Sequence, residues 1–377
     1  MNILFVSGHP AQVHNFRNVR AELIKRGHNV FWLTTPKDIA TNLLDVYQIS
    51  YNVLRKPGKG LISKVWILLR NVVWEIRYLR CNKIDVAITR TCPYTTFAAK
   101  LCGVKHCVIS DTEHATSKMK DFFNIADTII LPKCFDFQLR EDEIRFAGNI
   151  ELFYLRENRF TPSLVWTLLK IEPNTKFAIV RFVKWDAWHD TDLCGGFSLD
   201  QKRELVARLQ KHMQVFISSE SELPADLEPY RIQIPIERMH DVQAAAALFV
   251  GESATMASES VVLGTPAIYI DEVGRGYTDE EAREQLLWMY RPVASREALK
   301  PNEPAWISGG IKECIDKAEE LAASAFDYTA YIQRYEKWIA TKIDCTAFLT
   351  WFIENYPQSQ QATRENQNND AFWAQFK

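Results

Sequence analysis

Short apolar runs alternate with longer stretches of helical periodicity along most of this chain. Asn2 to Ser7 is nearly all apolar, and Gly8-His9-Pro10 breaks it. A helical pattern runs from about Val13 to Arg26 and stops at Gly27, and Asn29 to Thr34 is the next apolar run. Strand, loop, helix, glycine and strand in that order predict the opening of a βαβ unit. Val86 to Thr89, His106 to Ser110 and Thr128 to Leu131 read as further strands, with helical segments between most of them. All-apolar strands alternating with helices imply a parallel sheet covered on both faces, an α/β architecture.

The rhythm restarts after about Thr161. Phe177 to Val180 reads as a strand, Leu199 to Lys211 as a helix, and Gln214 to Ser218 and Ile232 to Ile234 as strands. A small-residue helix is predicted near His240 to Ala247. Two βαβ domains follow, 1–160 and 161–330, with a linker around Glu151 to Glu172. Aromatic helical segments at Tyr331 to Ile343 and Ala347 to Tyr356 make a third part, 331–356. The tail 357–377 is rich in Gln and Asn, and Pro357 to Asn369 is expected to be disordered.

One stretch concentrates the candidate chemistry. Phe249 to Ile270 reads as strand, small-residue turn, helix, stop at Gly264-Thr265-Pro266, and strand. Such a turn aims backbone N–H groups and a helix N-terminus at one point outside the sheet, which suits phosphate. Ser253 and Thr255 add hydroxyls, and Glu259 lies one helical turn beyond Thr255, placed to hold ribose hydroxyls. An ordinary β–α–β unit with a Ser/Thr cap explains the turn equally well. The first βαβ unit has no GxGxxG, so a nicotinamide or flavin dinucleotide is not indicated.

Composition narrows the classes. A formal net charge of -2 gives no global field to recruit nucleic acid. The eight cysteines include no CxxC pair, so neither a zinc site nor a redox motif is suggested. The N-terminus has no basic leader and no run reaches the length of a membrane span, so a cytoplasmic protein is expected. One segment complicates that picture. Arg55 to Lys83 carries Arg55, Lys56, Lys59, Lys64, Arg70, Arg77, Arg80 and Lys83 against the single acid Glu75, interleaved with Trp66, Trp74 and many aliphatics. It fits a peripheral contact with the inner face of a membrane, or a packed helix with solvated ends.

Five segments carry a family resemblance: SGHPAQVHNF from Ser7, SDTEHATSKMK from Ser110, FAGNIELFYL from Phe146, VRF from Val180 and GESATMASESVVLGTPAI from Gly251. Their order and spacing over roughly residues 1 to 300 resemble the GT-B nucleotide-sugar enzymes, and within them an uncharacterised prokaryotic domain family. The last segment is similar to the donor-nucleotide motif of UDP-N-acetylglucosamine 2-epimerases and of the peptidoglycan N-acetylglucosaminyltransferase. The resemblance implies two Rossmann-like domains facing a cleft, with C-terminal helices crossing back and no metal or other cofactor required. Two features depart from the epimerases. Ala254 and Thr255 stand where they carry two glycines, and Arg181 alone answers to their histidine-arginine pair.

The same resemblance assigns roles. His14, with His9 beside it, lies where these enzymes place a catalytic base, and imidazole suits the deprotonation of a sugar hydroxyl. Glu113 answers to an acid/base glutamate of the epimerases, with Asp111 and His114 next to it. Helix capping explains these residues as well, since Ser110, Asp111 and Thr112 are all capping types. Arg181 can face a diphosphate or close a salt bridge. The loop with Lys184, Trp185, Asp186, Trp188, His189 and Asp190 can line a sugar site or pack inward. The expected activity is glycosyl transfer from a UDP-sugar to a cell-surface glycan or lipid-linked acceptor. A nucleotide-sugar 2-epimerase and a non-catalytic nucleotide-sugar-binding module are the alternatives.

Overall fold

The computed structural model describes residues 1–36, 38–55, 60–90, 92–183, 196–219 and 221–377. The chain forms two compact units, one of residues 1–159 with 341–377 and one of residues 160–340.

The first unit holds a seven-stranded parallel sheet. Its strands are β1 (Asn2–Ser7), β2 (Asn29–Thr34), β3 (Asn52–Val53), β4 (Val86–Thr89), β5 (Lys105–Ile109), β6 (Thr128–Pro132) and β7 (Ile144–Phe146). They lie in the order β3-β2-β1-β4-β5-β6-β7. The crossover helices are α1 (Pro10–Lys25), α2 (Asp38–Val46), α3 (Leu61–Cys81), α4 (Pro93–Cys102), α5 (Glu113–Lys118) and α6 (Lys120–Ile125). Leu4 and Val6 of β1, with Leu33 and Ala87, share a core cluster with Val72 and Leu79 of α3 and Ala98 and Ala99 of α4. Phe5 faces the other side, stacked on Phe16 of α1 at 5.0 Å. Alternate residues of one strand thus bury against opposite helical layers, which is why the run is apolar throughout.

The second unit holds β8 (Phe177–Phe182), β9 (Gln214–Ser219), β10 (Leu248–Gly251), β11 (Ala267–Ile270) and β12 (Leu287–Tyr290) in the parallel order β12-β11-β10-β8-β9. Its helices are α7 (Val165–Leu169), α8 (Leu199–Leu209), α9 (Met239–Ala245), α10 (Ala254–Val262), α11 (Gly276–Arg283), α12 (Ile311–Ala322) and α13 (Tyr328–Ala340). Ile232 to Ile234 does not form the strand expected from sequence; only the Arg231–Ile217 bridge forms there, before Pro235 ends any extension. The short edge strands β3 and β7 carry too few residues to stand out as patterns.

Three C-terminal helices complete the first unit: α14 (Cys345–Glu354), α15 (Gln358–Asn366) and α16 (Asp370–Ala374). The first part of the expected 331–356 segment stays with the second unit, where Tyr331 stacks on Trp288 and the Tyr335 hydroxyl donates to the Val262 carbonyl at 2.8 Å. The stretch Glu151 to Leu155, read as linker, is fully buried core instead, because Leu152, Phe153 and Tyr154 pack inward.

The expectation of disorder at Pro357 to Asn369 is also overturned. Ser359 and Thr363 are buried, and their hydroxyls donate to the Phe352 and Ser359 carbonyls at 2.6 and 2.7 Å. A hydroxyl satisfied by a preceding helical carbonyl packs as a small apolar group, so polar composition misleads here. Trp373 and Phe376 then close on Phe348, with centroids 5.4 and 5.5 Å away.

Inside α3, Glu75 is fully buried and accepts from the Thr95 hydroxyl at 3.1 Å. Burial pushes its pKa up to about 8, against the lowering effect of that hydrogen bond. The folded protein therefore holds a proton that the unfolded chain releases near pH 4.5, and stability falls as pH rises from there to about 8.

Two outcomes follow from this packing. Glu75→Gln is expected to remove that decline and to stabilise the protein at pH 8 by on the order of 3 kcal/mol, measured by denaturant unfolding at pH 5 and pH 8. Equal pH slopes in the two proteins would contradict it. Trp373→Ala is expected to cost about 3–5 kcal/mol in the same measurement, whereas a disordered tail would leave the midpoint unmoved.

Candidate functional site

In an open parallel sheet, ligands are presented outside the carboxyl ends of the strands, where the direction of strand order reverses. The second unit reverses between β8 and β10, since β9 lies beyond β8 and β11 lies beyond β10. The residues at that point are Arg181 and Phe182 at the end of β8 and Gly251 to Thr255 at the end of β10. Gly251 pairs with Arg181, and the Glu252 N–H donates to the Arg181 carbonyl at 3.0 Å. A Cβ on Gly251 would come within 2.7 Å of the Arg181 Cβ and carbonyl oxygen, so only glycine allows this approach.

Ser253 is the N-cap of α10, its hydroxyl accepting from the Met256 N–H at 3.4 Å. Ala254 is buried at the first helical position, and Thr255 is partly exposed beside it. The Arg181 guanidinium lies on the β9 side, donating to the Ser218 hydroxyl at 3.0 Å. Glu259 is buried one turn along α10, its carboxylate 3.0 Å from His240 Nε2 of α9. His240 thus orients the carboxylate that the sequence reading placed on ribose.

Glu252 escaped the sequence reading. Its carboxylate accepts the Val183 N–H at 2.8 Å and the Phe197 N–H at 2.9 Å, tying two distant points of the chain to the turn. The loop carrying Lys184, Trp185, Asp186, Trp188, His189 and Asp190 lies outside the described residues. Lys202 of α8, buried over the Phe182 ring at 5.0 Å, lies close enough to Glu252 to feel its charge. Burial lowers the Lys202 pKa and the Glu252 charge opposes that fall. Beyond β11, the Tyr269 hydroxyl donates to Asp271 at 2.5 Å and accepts from Arg275, which places a third polar group at this edge of the sheet.

The first unit reverses between β1 and β4, where Gly8-His9 and Arg90 emerge. His9 is exposed and caps α1, its Nδ1 accepting from the Ala11 N–H at 3.3 Å. His14 is buried, stacked on Tyr154 at 5.4 Å with its Nδ1 3.3 Å from the Tyr47 hydroxyl. Arg90 joins α1 to β5 by donating to Asn15 at 3.2 Å and pairing with the buried Asp111. Asp111 also accepts from the Thr112 hydroxyl at 2.8 Å. Glu113 is partly exposed at the start of α5 and accepts weakly from the Asp136 N–H at 3.4 Å, while His114 beside it is exposed. Arg90 and Glu252 were missed for one reason: each is the first charged residue after a strand, and only the strand order shows which strand ends matter.

Among the described residues no group of three His, Cys, Asp or Glu side chains is arranged to hold a metal ion. A surface hollow lined by Lys176, Lys211, His212 and Tyr230 lies at the amino ends of β8 and β9, the edge of the sheet away from these residues.

No family model matches the sequence, and no curated protein matches it. Solved structures do match the fold. One is a UDP-N-acetylglucosamine 2-epimerase with TM-score 0.62 at 13% identity, over 94% of this chain and 96% of that one. S. aureus MnaA, solved with UDP, gives 0.61 at 11% identity over 95% and 97%. The glycosyltransferase VinC in complex with DTDP gives 0.60 at 11% identity over 96% and 100%. The chain therefore has a GT-B-like fold of two parallel-sheet units.

Removing the Glu252 carboxylate tests its role in shaping the turn. Glu252→Ala is expected to speed hydrogen exchange at the Val183 and Phe197 amides at least tenfold and to cost about 1–3 kcal/mol of stability. Unchanged protection at both amides would show that the carboxylate does not hold them.

Proposed function

We propose that the second unit binds a nucleoside-diphosphate sugar, UDP-linked, and that the protein is a glycosyltransferase acting on a cell-surface glycan or lipid-linked acceptor. One observation carries the reading: Arg181 and the N-terminus of α10 emerge from adjacent strands at the reversal point of the sheet. Arg181, the α10 N–H groups and the Ser253 and Thr255 hydroxyls would meet the diphosphate, with Ala254 setting the closest backbone approach. Glu259, oriented by His240, would take the ribose. Nucleotides in solved structures of the same fold, UDP with MnaA and DTDP with VinC, support the chemistry.

In transfer, an acceptor oxygen bonds to the anomeric carbon, the bond from that carbon to the diphosphate breaks, and the acceptor proton passes to a base. Charge then builds on the leaving diphosphate, and the Arg181 cation and the α10 dipole favour that build-up. The candidate bases lie in the first unit. Exposure favours His9 for meeting an acceptor hydroxyl, and His14, enclosed by Tyr47 and Tyr154, would instead position α1. Glu113 is the other candidate base, with His114 near it. Asp111 is engaged by Arg90, which leaves fewer carboxylates for the elimination and re-addition of an epimerase and favours transfer.

Thermal unfolding with UDP and UDP-sugars tests the reading. A ligand present at a hundred times its Kd should add about 2.7 kcal/mol of stability, seen as a rise in Tm. Arg181→Ala should abolish the rise, and Glu259→Ala should weaken it about tenfold or more in affinity. His9→Ala should leave binding intact while lowering turnover. No rise with any nucleotide would remove the proposal, and isomerised UDP-sugar formed without an acceptor would replace the transferase by the epimerase.

A further inference from the structure

Helix α3 is 21 residues long, about 30 Å, and it packs on the sheet with one face only. Val72, Glu75 and Leu79 are buried on its inner side, with Asn71 beside them. The outer side carries large apolar groups in water: Val65 is 50% exposed, Trp66 59%, Leu69 52%, Val73 58% and Trp74 37%. Solvated helix faces are ordinarily polar, and a contiguous apolar patch of this kind marks a surface that something covers.

The order of residues along that face identifies the occupant. Positions 66, 69, 70, 73, 77 and 80 recur at helical spacing and share one stripe. Its N-terminal half is apolar and bears Trp66. Its C-terminal half bears exposed Arg77 and Arg80, with Arg70 between the halves and exposed Lys83 just past the end. The only acid of the helix, Glu75, points into the core and keeps its proton near neutral pH, so it subtracts nothing from this charge. Two copies of the face brought together would oppose arginine with arginine and offer no acid in return. A layer with apolar depth beneath an anionic surface complements both halves at once.

We propose that the exposed face of α3 docks the protein on an anionic lipid bilayer. Val65, Trp66, Leu69, Val73 and Trp74 enter the headgroup and upper acyl region, while Arg70, Arg77, Arg80 and Lys83 meet lipid phosphates and carboxylates. The helix lies on the surface, since no described helix is long and apolar enough to cross a membrane. The indoles suit the interface, where an apolar ring and an N–H donor are both satisfied.

Co-sedimentation of the whole protein with vesicles tests this without any nucleotide, so its outcome is read apart from that of the sugar-donor proposal. The wild type is expected to pellet with phosphatidylcholine vesicles containing phosphatidylserine and to remain largely in solution with phosphatidylcholine alone. Arg77→Glu with Arg80→Glu, and separately Trp66→Glu with Leu69→Glu, should each weaken binding by about tenfold or more. All four sites are exposed, so circular dichroism and Tm should match the wild type, and either pair alone decides if the other fails to fold. Wild-type protein that ignores the anionic vesicles, or variants that bind as well as wild type, would overturn the proposal. So would a dimer, seen by sedimentation velocity and dispersed by Trp66→Glu with Leu69→Glu, in a protein that binds no vesicle.

Discussion

The candidate site residues of both sheets depend on one constraint of parallel sheets. A strand can pair in parallel with its predecessor only through a crossover, and crossovers have a fixed hand. All carboxyl ends of a sheet therefore gather at one edge, and a gap opens there only where the strand order reverses. Each unit reverses once, between β1 and β4 and between β8 and β10. The second reversal is drawn so tight that Gly251 lies against the backbone of Arg181, and a side chain at 251 would part the two strands.

The protein encloses several carboxylates wholly or in part, and it settles each one differently. Glu75 keeps its proton because burial outweighs the single hydroxyl it accepts from. Asp111 stays beside Arg90, and Glu259 beside His240. Glu252 is met by two backbone N–H groups and the nearby Lys202. Asp344 is desolvated, yet the Arg159 guanidinium and the Ala347 N–H bring its pKa below the ordinary value. An unpaired buried carboxylate is costly, so each of these partners is a structural requirement as well as a candidate for chemistry. The partners also sort the candidate site. Asp111 belongs to an ion pair that joins β4 to β5, whereas His9 and Arg181 stand at reversal points with part of their surface in water.

Local sequence pattern alone determined the α/β class, most strands longer than three residues, and the small-residue turn from Gly251 to Ala254. Strands covered on both faces must be apolar throughout, and helices must be apolar on one stripe, so these patterns are local and survive in the chain. Composition misread residues 357–377, because it does not record that the Ser359 hydroxyl meets a carbonyl of the preceding helix and the Thr363 hydroxyl one a turn back. The edge strands β3 and β7 owe their existence to the neighbour they pair with, and nothing in two or three residues announces that neighbour.

The candidate residues divide in the same way. His9, Asp111, Arg181 and Ser253 were visible as polar residues following strands, but their standing was not. Strand order separated those at a reversal from those elsewhere, and burial separated exposed His9 from enclosed His14. Arg90, Glu252, Lys202 and His240 became meaningful only through partners at least 19 residues away in the chain. Along α3 the sequence displayed tryptophan and arginine together, and the tertiary structure showed that both face outward while Glu75 faces in. Local pattern is written residue by residue along the chain. Charge pairing and exposure are set by what lies across space, and only packing decides them.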